Sequence, residues 1–135
     1  MKKLIGILSI SVITLVSCSK KVNTPSQQID NIFYQAQDVA VSNFTATEAS
    51  TGTIQISFST LYETNIQQIE ILSSASTDHF CTTKIFTAIE NSNQKKQYVY
   101  SDSNIKGATM YYMLRFKDAN GVWKYTDYST IENVQ

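Results

Sequence analysis

Thr53-Ile54-Gln55-Ile56-Ser57-Phe58-Ser59 sets an apolar side chain at every second position, with polar residues between them. Successive side chains of an extended chain point to opposite faces, so Ile54, Ile56 and Phe58 share one face while Gln55, Ser57 and Ser59 share the other. That is a strand with one side in a core and the other in water, as in an antiparallel sheet.

Working outward, the same reading recurs. Upstream, Val39 to Thr47 forms a first strand, with Val39 and Val41 alternating ahead of Phe44 and Ala46. Downstream, Ile69-Glu70-Ile71 repeats the alternation, and further strands are predicted over Phe80 to Ala88, Gln97 to Ser101, Tyr111 to Lys117 and Val122 to Ile131. Gly52, Gly107 and Gly121 all fall between these runs. Asp118-Ala119-Asn120-Gly121 reads as a tight hairpin, because Asn-Gly takes positive φ at small cost. About seven short strands separated by turns indicate an all-β, immunoglobulin-like sandwich over residues 37–135. No repeat of 20–50 residues is present.

The preceding segment, 18–36, holds the one Pro, Pro25, in a stretch rich in Gln, Asn and Ser, and reads as a tether. Within it Ile29, Ile32, Phe33 and Ala36 fall at i, i+3, i+4 and i+7 behind Ser26. That spacing fits a short helix packed on the domain as well as it fits a disordered linker.

Residues 1–17 read as a leader. Met1-Lys2-Lys3 is basic and Leu4 to Val16 is apolar, a run of 13 residues. A membrane-spanning helix needs about 20 apolar residues, so the run has the length of a signal-peptide core and not of a span. It closes on Leu15-Val16-Ser17-Cys18, which resembles the lipobox of bacterial lipoproteins. The resemblance implies cleavage before Cys18, a diacylglyceryl thioether on its sulfur and acylation of the new amine. More than one chain is physically sensible, because a single acyl chain binds a membrane only reversibly. Ser19-Lys20-Lys21-Val22-Asn23 has no Asp after the cysteine and no acidic cluster, so the expected location is the outer membrane, facing the periplasm.

Without the leader the chain carries nine Lys and Arg against eleven Asp and Glu, a net charge of −2. That balance excludes an electrostatic footprint for nucleic acid. Aromatic residues make up 11% and charged residues 16%, a composition suited to half-buried strands and too rich in aromatic and β-branched residues for disorder throughout.

Residues 43–131 also resemble the fibronectin type III-like domains of exported bacterial proteins. Phe44-Thr45-Ala46 fits the end of the family's first strand, and Ile54 to Thr60 fits the second, with Phe58 where the family usually has a core Trp. Glu63-Thr64-Asn65 is similar to its E-x-N loop, Ile69-Glu70-Ile71 to its F-x-I strand, Phe80 to the aromatic after the next turn, and Tyr98-Val99-Tyr100-Ser101-Asp102 to its Y-x-Y-x-D. Tyr111-Tyr112-Met113-Leu114-Arg115 and the turn to Gly121 follow its YYRL hairpin, continued by Trp123, Tyr125 and Thr126. Met113 in place of Arg, and Leu72-Ser73-Ser74 in place of E-R-S, touch the surface and put the ligand in doubt, not the fold. The resemblance implies a spacer, adhesion or recognition module, and fold alone does not fix which.

Catalytic chemistry finds little support. His79 is the sole histidine, no G-x-S-x-G occurs, and Asp78 and Phe80 beside it indicate a turn leading into a strand. With Cys18 lipidated, Cys81 has no cysteine to pair with and no metal-ligand spacing, so it reads as a small buried hydrophobe. The acids are scattered: Asp102 and Asp118 belong to turns, and Glu63, Glu70, Glu90 and Asp127 read as solvated positions. No catalytic residue, metal site or cofactor is expected. Trp123, Tyr125, Tyr111 and Tyr98 have two readings, as core residues of alternating strands or as a platform for sugar rings or a protein partner. With Arg115 the first three define the candidate binding surface, on the final hairpin. The expected function is therefore a membrane-anchored exported lipoprotein whose non-catalytic domain recognises or spaces an envelope protein or glycan. The alternative is a structural accessory subunit or inhibitor in a cell-envelope complex.

Overall fold

The computed structural model describes residues 31–87, 89–132 and 134. The leader, Cys18 and the tether up to residue 30 lie outside them, as does Ala88 at the end of one expected strand.

Eight strands follow one another: β1 (Ile32–Gln35), β2 (Val39–Ser50), β3 (Thr53–Glu63), β4 (Ile66–Ser74), β5 (Cys81–Phe86), β6 (Lys96–Asp102), β7 (Met110–Asp118) and β8 (Trp123–Ile131). They form two antiparallel sheets of four strands, ordered β1-β2-β3-β6 and β5-β4-β7-β8. The chain changes sheet between β3 and β4, between β5 and β6, and between β6 and β7.

The strand β1 corrects the expectation for residues 32–35, while residues 26–30 lie outside the described residues. Ile32–Gln35 is neither helix nor tether but an edge strand on β2. A bulge between Ile32 and Tyr34 breaks the period of two, so consecutive rings both reach the core. Phe33 meets Phe44 edge-on at 4.9 Å, and Tyr34 stacks on Phe116 at 6.0 Å. Of the residues at helical spacing, Phe33 and Ala36 pack on the core while Ile32 is 56% exposed, so the spacing marks no single buried face.

The central strands behave as their alternation requires. Ile54, Ile56 and Phe58 are fully buried between the sheets, facing Ile69, Ile71, Tyr112, Leu114 and Phe116 from the other side. Phe58 stacks on Tyr98 at 4.8 Å and takes Phe44 and Phe86 edge-on. At the β7–β8 hairpin Gly121 has φ of 81°, Gly121 N–H donates to the Asp118 carbonyl, and Asp118 Oδ1 accepts the Asn120 and Val122 amides at 2.8 and 2.9 Å. That carboxylate satisfies the turn's amides, which is why Asp precedes Asn-Gly there.

Three further polar ties fix the sandwich. Tyr112 donates its buried hydroxyl to Asp102 Oδ2 at 2.8 Å, joining β7 to β6 in the opposite sheet. Glu63, also buried, accepts Thr60 Oγ1, Tyr98 OH and Lys96 Nζ at 2.7, 2.6 and 3.0 Å. Lys124 on β8 grips both oxygens of Asp38, just before β2, at 2.5 Å. Burial, and then the acceptor carboxylates, push the Tyr98 and Tyr112 hydroxyls well above the ordinary tyrosine range. The hydrogen bond to Asp38, and then its charge, raises Lys124.

Candidate functional site

The register of the second sheet decides where the aromatic residues go. On β7, Met110, Tyr112, Leu114 and Phe116 point into the core, so Tyr111, Met113, Arg115 and Lys117 line the outer face. Lys117 pairs with Trp123, Arg115 with Tyr125, Met113 with Tyr128 and Tyr111 with Thr130. Directly opposed residues of an antiparallel pair share a face, so Trp123, Tyr125 and Tyr128 are on the outer face too. The inner side of β8 is taken by Thr126, whose Oγ1 accepts the Leu114 amide at 3.0 Å.

Trp123, Tyr125, Tyr111 and Arg115 thus come together on one open sheet face, and the core reading of these aromatics is set aside. Tyr98 separates from them: it lies between the sheets, stacked on Phe58. Two residues missed in the sequence complete the group. Tyr128 meets Tyr111 edge-on at 5.3 Å and approaches Phe80 at 6.3 Å. Glu70, opposite Arg115 on β4, sits under the middle of the face. A three-residue step from Tyr125 hid Tyr128, because strict alternation would have sent it inward.

Glu70 corrects the expectation of a solvated acid, as does Glu63. Although it is on the outer side of its strand, Glu70 is only 3% exposed. Arg115 Nε and Nη2 reach its Oε2 at 2.8 and 2.6 Å, Thr82 Oγ1 donates to the same oxygen at 2.7 Å, and the Gln68 amide donates to Oε1. Arg115 Nη2 also donates to Thr82 Oγ1 at 3.3 Å. A carboxylate taken out of water needs this full set of partners. The guanidinium carbon lies 4.2 Å from the Trp123 ring centroid, and Lys117 Nζ lies 5.7 Å from it. Burial opposes the charge on Arg115, but hydrogen bonds to Glu70 and Tyr125 outweigh it and raise its pKa. Beyond this central group the rings are open, with Tyr125 50% and Tyr128 45% exposed.

The other sequence candidates lie apart. His79 is exposed in the turn before β5, with Nδ1 3.1 Å from Asp78. Cys81 is exposed, not buried as expected, because it opens an edge strand at the end of the β4–β5 ladder. Asp102 and Asp118 serve turns as expected, each accepting the amide two residues on. Among the described residues no group of three or more His, Cys, Asp and Glu is arranged to hold a metal ion, and no helix is long and apolar enough to cross a membrane. Two open pockets of about 290 and 270 Å³ occur elsewhere. One is apolar, between β1 and β2 around Phe33 and Phe44; the other is polar, at the end of the sandwich around Asp38, Asp118 and Lys124.

Two packed antiparallel sheets of four strands, with aromatic residues on the outer face of one, define the class of molecule: an all-β sandwich domain. No protein-family model matches the chain, and no curated protein matches it. Among solved structures, the crystal structure of OgpA from Akkermansia muciniphila is similar, with a TM-score of 0.53 and 16% identity. The match covers 84% of this chain and 32% of OgpA, so this chain spans about a third of that protein's length. The likeness is one of fold.

Proposed function

We propose that this protein is an exported lipoprotein, held on the outer membrane by lipid on Cys18. In this reading its fibronectin type III-like sandwich presents the outer face of β7 and β8 to a non-covalent ligand in the cell envelope. The observation that carries the recognition role is the convergence of Trp123, Tyr125, Tyr111 and Arg115 on one solvent-facing side of a single sheet. Trp, Tyr and Arg are the residue types that most often dominate binding energy, and here they are fixed on strands, which need little ordering on binding. Support for the finer fold comes from the chain path. Without β1, seven strands divide three and four between the sheets, and Tyr112 of the Tyr111-Tyr112 pair is the one anchored by its hydroxyl.

The test is capture of envelope components by the immobilised whole mature protein. Tyr125→Ala and Tyr128→Ala should stay folded with only a small loss of thermal stability, because both side chains are half in water, and should lose capture. Capture unchanged in both variants would remove the face from consideration.

A further inference from the structure

We infer that the outer face of the β5-β4-β7-β8 sheet takes a neutral saccharide chain, laid along β8 from Trp123 toward Tyr128. The inference rests on the recognition reading above and names its ligand class.

Charge is the first ground. Arg115 is the only arginine in the chain, and its Nε and Nη2 are committed to Glu70 and Thr82. Both Glu70 oxygens are occupied in turn. The centre of the face is therefore an ion pair whose carboxylate is buried and whose guanidinium is mostly engaged. Lys117 Nζ lies 5.7 Å from the Trp123 centroid, and Asp127 sits on β8 between Tyr125 and Tyr128. The central pair carries no net charge, so it gives a charged ligand little electrostatic advantage at the middle of the face.

Surface chemistry is the second. Ring faces suit the C–H faces of a pyranose, while the Tyr111 and Tyr128 hydroxyls and Thr130 lie within the same strip for sugar hydroxyls. Arg115 covers one side of the indole at 4.2 Å, so it acts as a positioning residue that holds Trp123 in place.

Size and shape are the third. The nine residues of β8 at ~3.3 Å each give a strip about 30 Å long. An elongated strip of this kind suits an extended chain laid along β8.

Trp123 is the only tryptophan, which makes its fluorescence a reporter of this face. The whole mature protein would be applied to a printed array of neutral and acidic oligosaccharides, and hits titrated by Trp123 emission. Neutral oligosaccharides should bind and shift the emission. Tyr125→Ala and Tyr128→Ala should each weaken that binding at least tenfold with the circular dichroism spectrum unchanged. Glu70→Gln should move the emission maximum of the free protein, because it loosens Arg115 from its anchor, and should weaken binding less than the tyrosine variants. Binding confined to sulfated or uronic oligosaccharides would overturn the neutral class. Binding of deglycosylated envelope proteins alone, lost in the same variants, would overturn the saccharide and keep the recognition face. Capture unaffected by every variant would overturn both.

Discussion

Arg115 joins two environments: its guanidinium carbon sits 4.2 Å from the Trp123 centroid while Nη2 holds buried Glu70 at 2.6 Å. Removing it strands the carboxylate. Breaking a fully buried pair costs ~3–5 kcal/mol, but Arg115 keeps 24% of its side chain in water, so Arg115→Met should cost about 2–3 kcal/mol. The double variant Arg115→Met, Glu70→Gln should recover part of that loss, since no buried charge is left unpaired. Urea denaturation of the four forms gives the coupling directly, and additive losses would show that the pair acts separately.

Trp123 is neither core nor fully exposed. Its indole is half-buried, on the outer face. Trp123→Ala should therefore cost about 1–2 kcal/mol, below the ~3–5 kcal/mol of a large aromatic removed from a core. Thermal melting checks this, and a core-sized loss would place the ring inside the sandwich.

Phe58 gives the contrasting case. It is 1% exposed and has three aromatic neighbours besides the facing isoleucines. Phe58→Ala should cost about 3–5 kcal/mol by loss of burial and the cavity left behind. Chemical denaturation followed by circular dichroism would reveal it, and a variant as stable as wild type would contradict the packing described.

The strands were legible where alternation was strict. Ile54, Ile56 and Phe58 needed only the period of two, and Asp118 to Gly121 announced the hairpin by turn chemistry. Misreadings have local causes. In β1 a bulge brings Phe33 and Tyr34 both onto the core, a departure from the period of two that the sequence does not announce. Along β4, Ile69, Glu70, Ile71 and Leu72 are all buried because neighbours cover the outer side as well as the core side, and a single sequence does not show that Glu70 will be roofed by Arg115 from 45 residues away. For the site, residue types were legible but orientation was not. Trp123, Tyr125 and Tyr128 face outward because polar Thr126 takes the inner position and bonds the Leu114 amide, a contact set by pairing between strands.

Alkaline conditions should destabilise this protein, with its two anchored tyrosines contributing alongside Lys124. Burial first, and then Glu63 and Asp102 as acceptors, raise Tyr98 and Tyr112 above the ordinary value of 10.0. The folded chain thus keeps protons that the unfolded chain releases. Their contribution is fully present below pH 10 and is lost as pH rises beyond it toward the raised folded values. Stability measured by urea titration from pH 9 to pH 12 should fall, and the fall should be shallower in Tyr112→Phe, which has no proton to lose there. An identical slope in that variant would assign the alkaline loss to other groups.

The proposed anchor makes the last prediction. Leu15-Val16-Ser17-Cys18 directly follows the apolar run, and thioether-linked diacylglycerol at Cys18 is the modification that such a sequence implies. Each buried methylene contributes about 0.8 kcal/mol to membrane binding, and one chain alone holds only reversibly, so stable retention requires the multiple chains of a mature lipoprotein. Growth with a labelled fatty acid should mark the wild-type protein, shorten it by the 17-residue leader and leave it in the membrane fraction after a high-salt wash. Salt screens electrostatic attachment but not acyl burial, so retention after the wash separates a lipid anchor from peripheral adsorption through Lys20 and Lys21. Cys18→Ser should lose the label and the processing together. Label and cleavage persisting in that variant would overturn the anchor while leaving the sandwich and its aromatic face untouched.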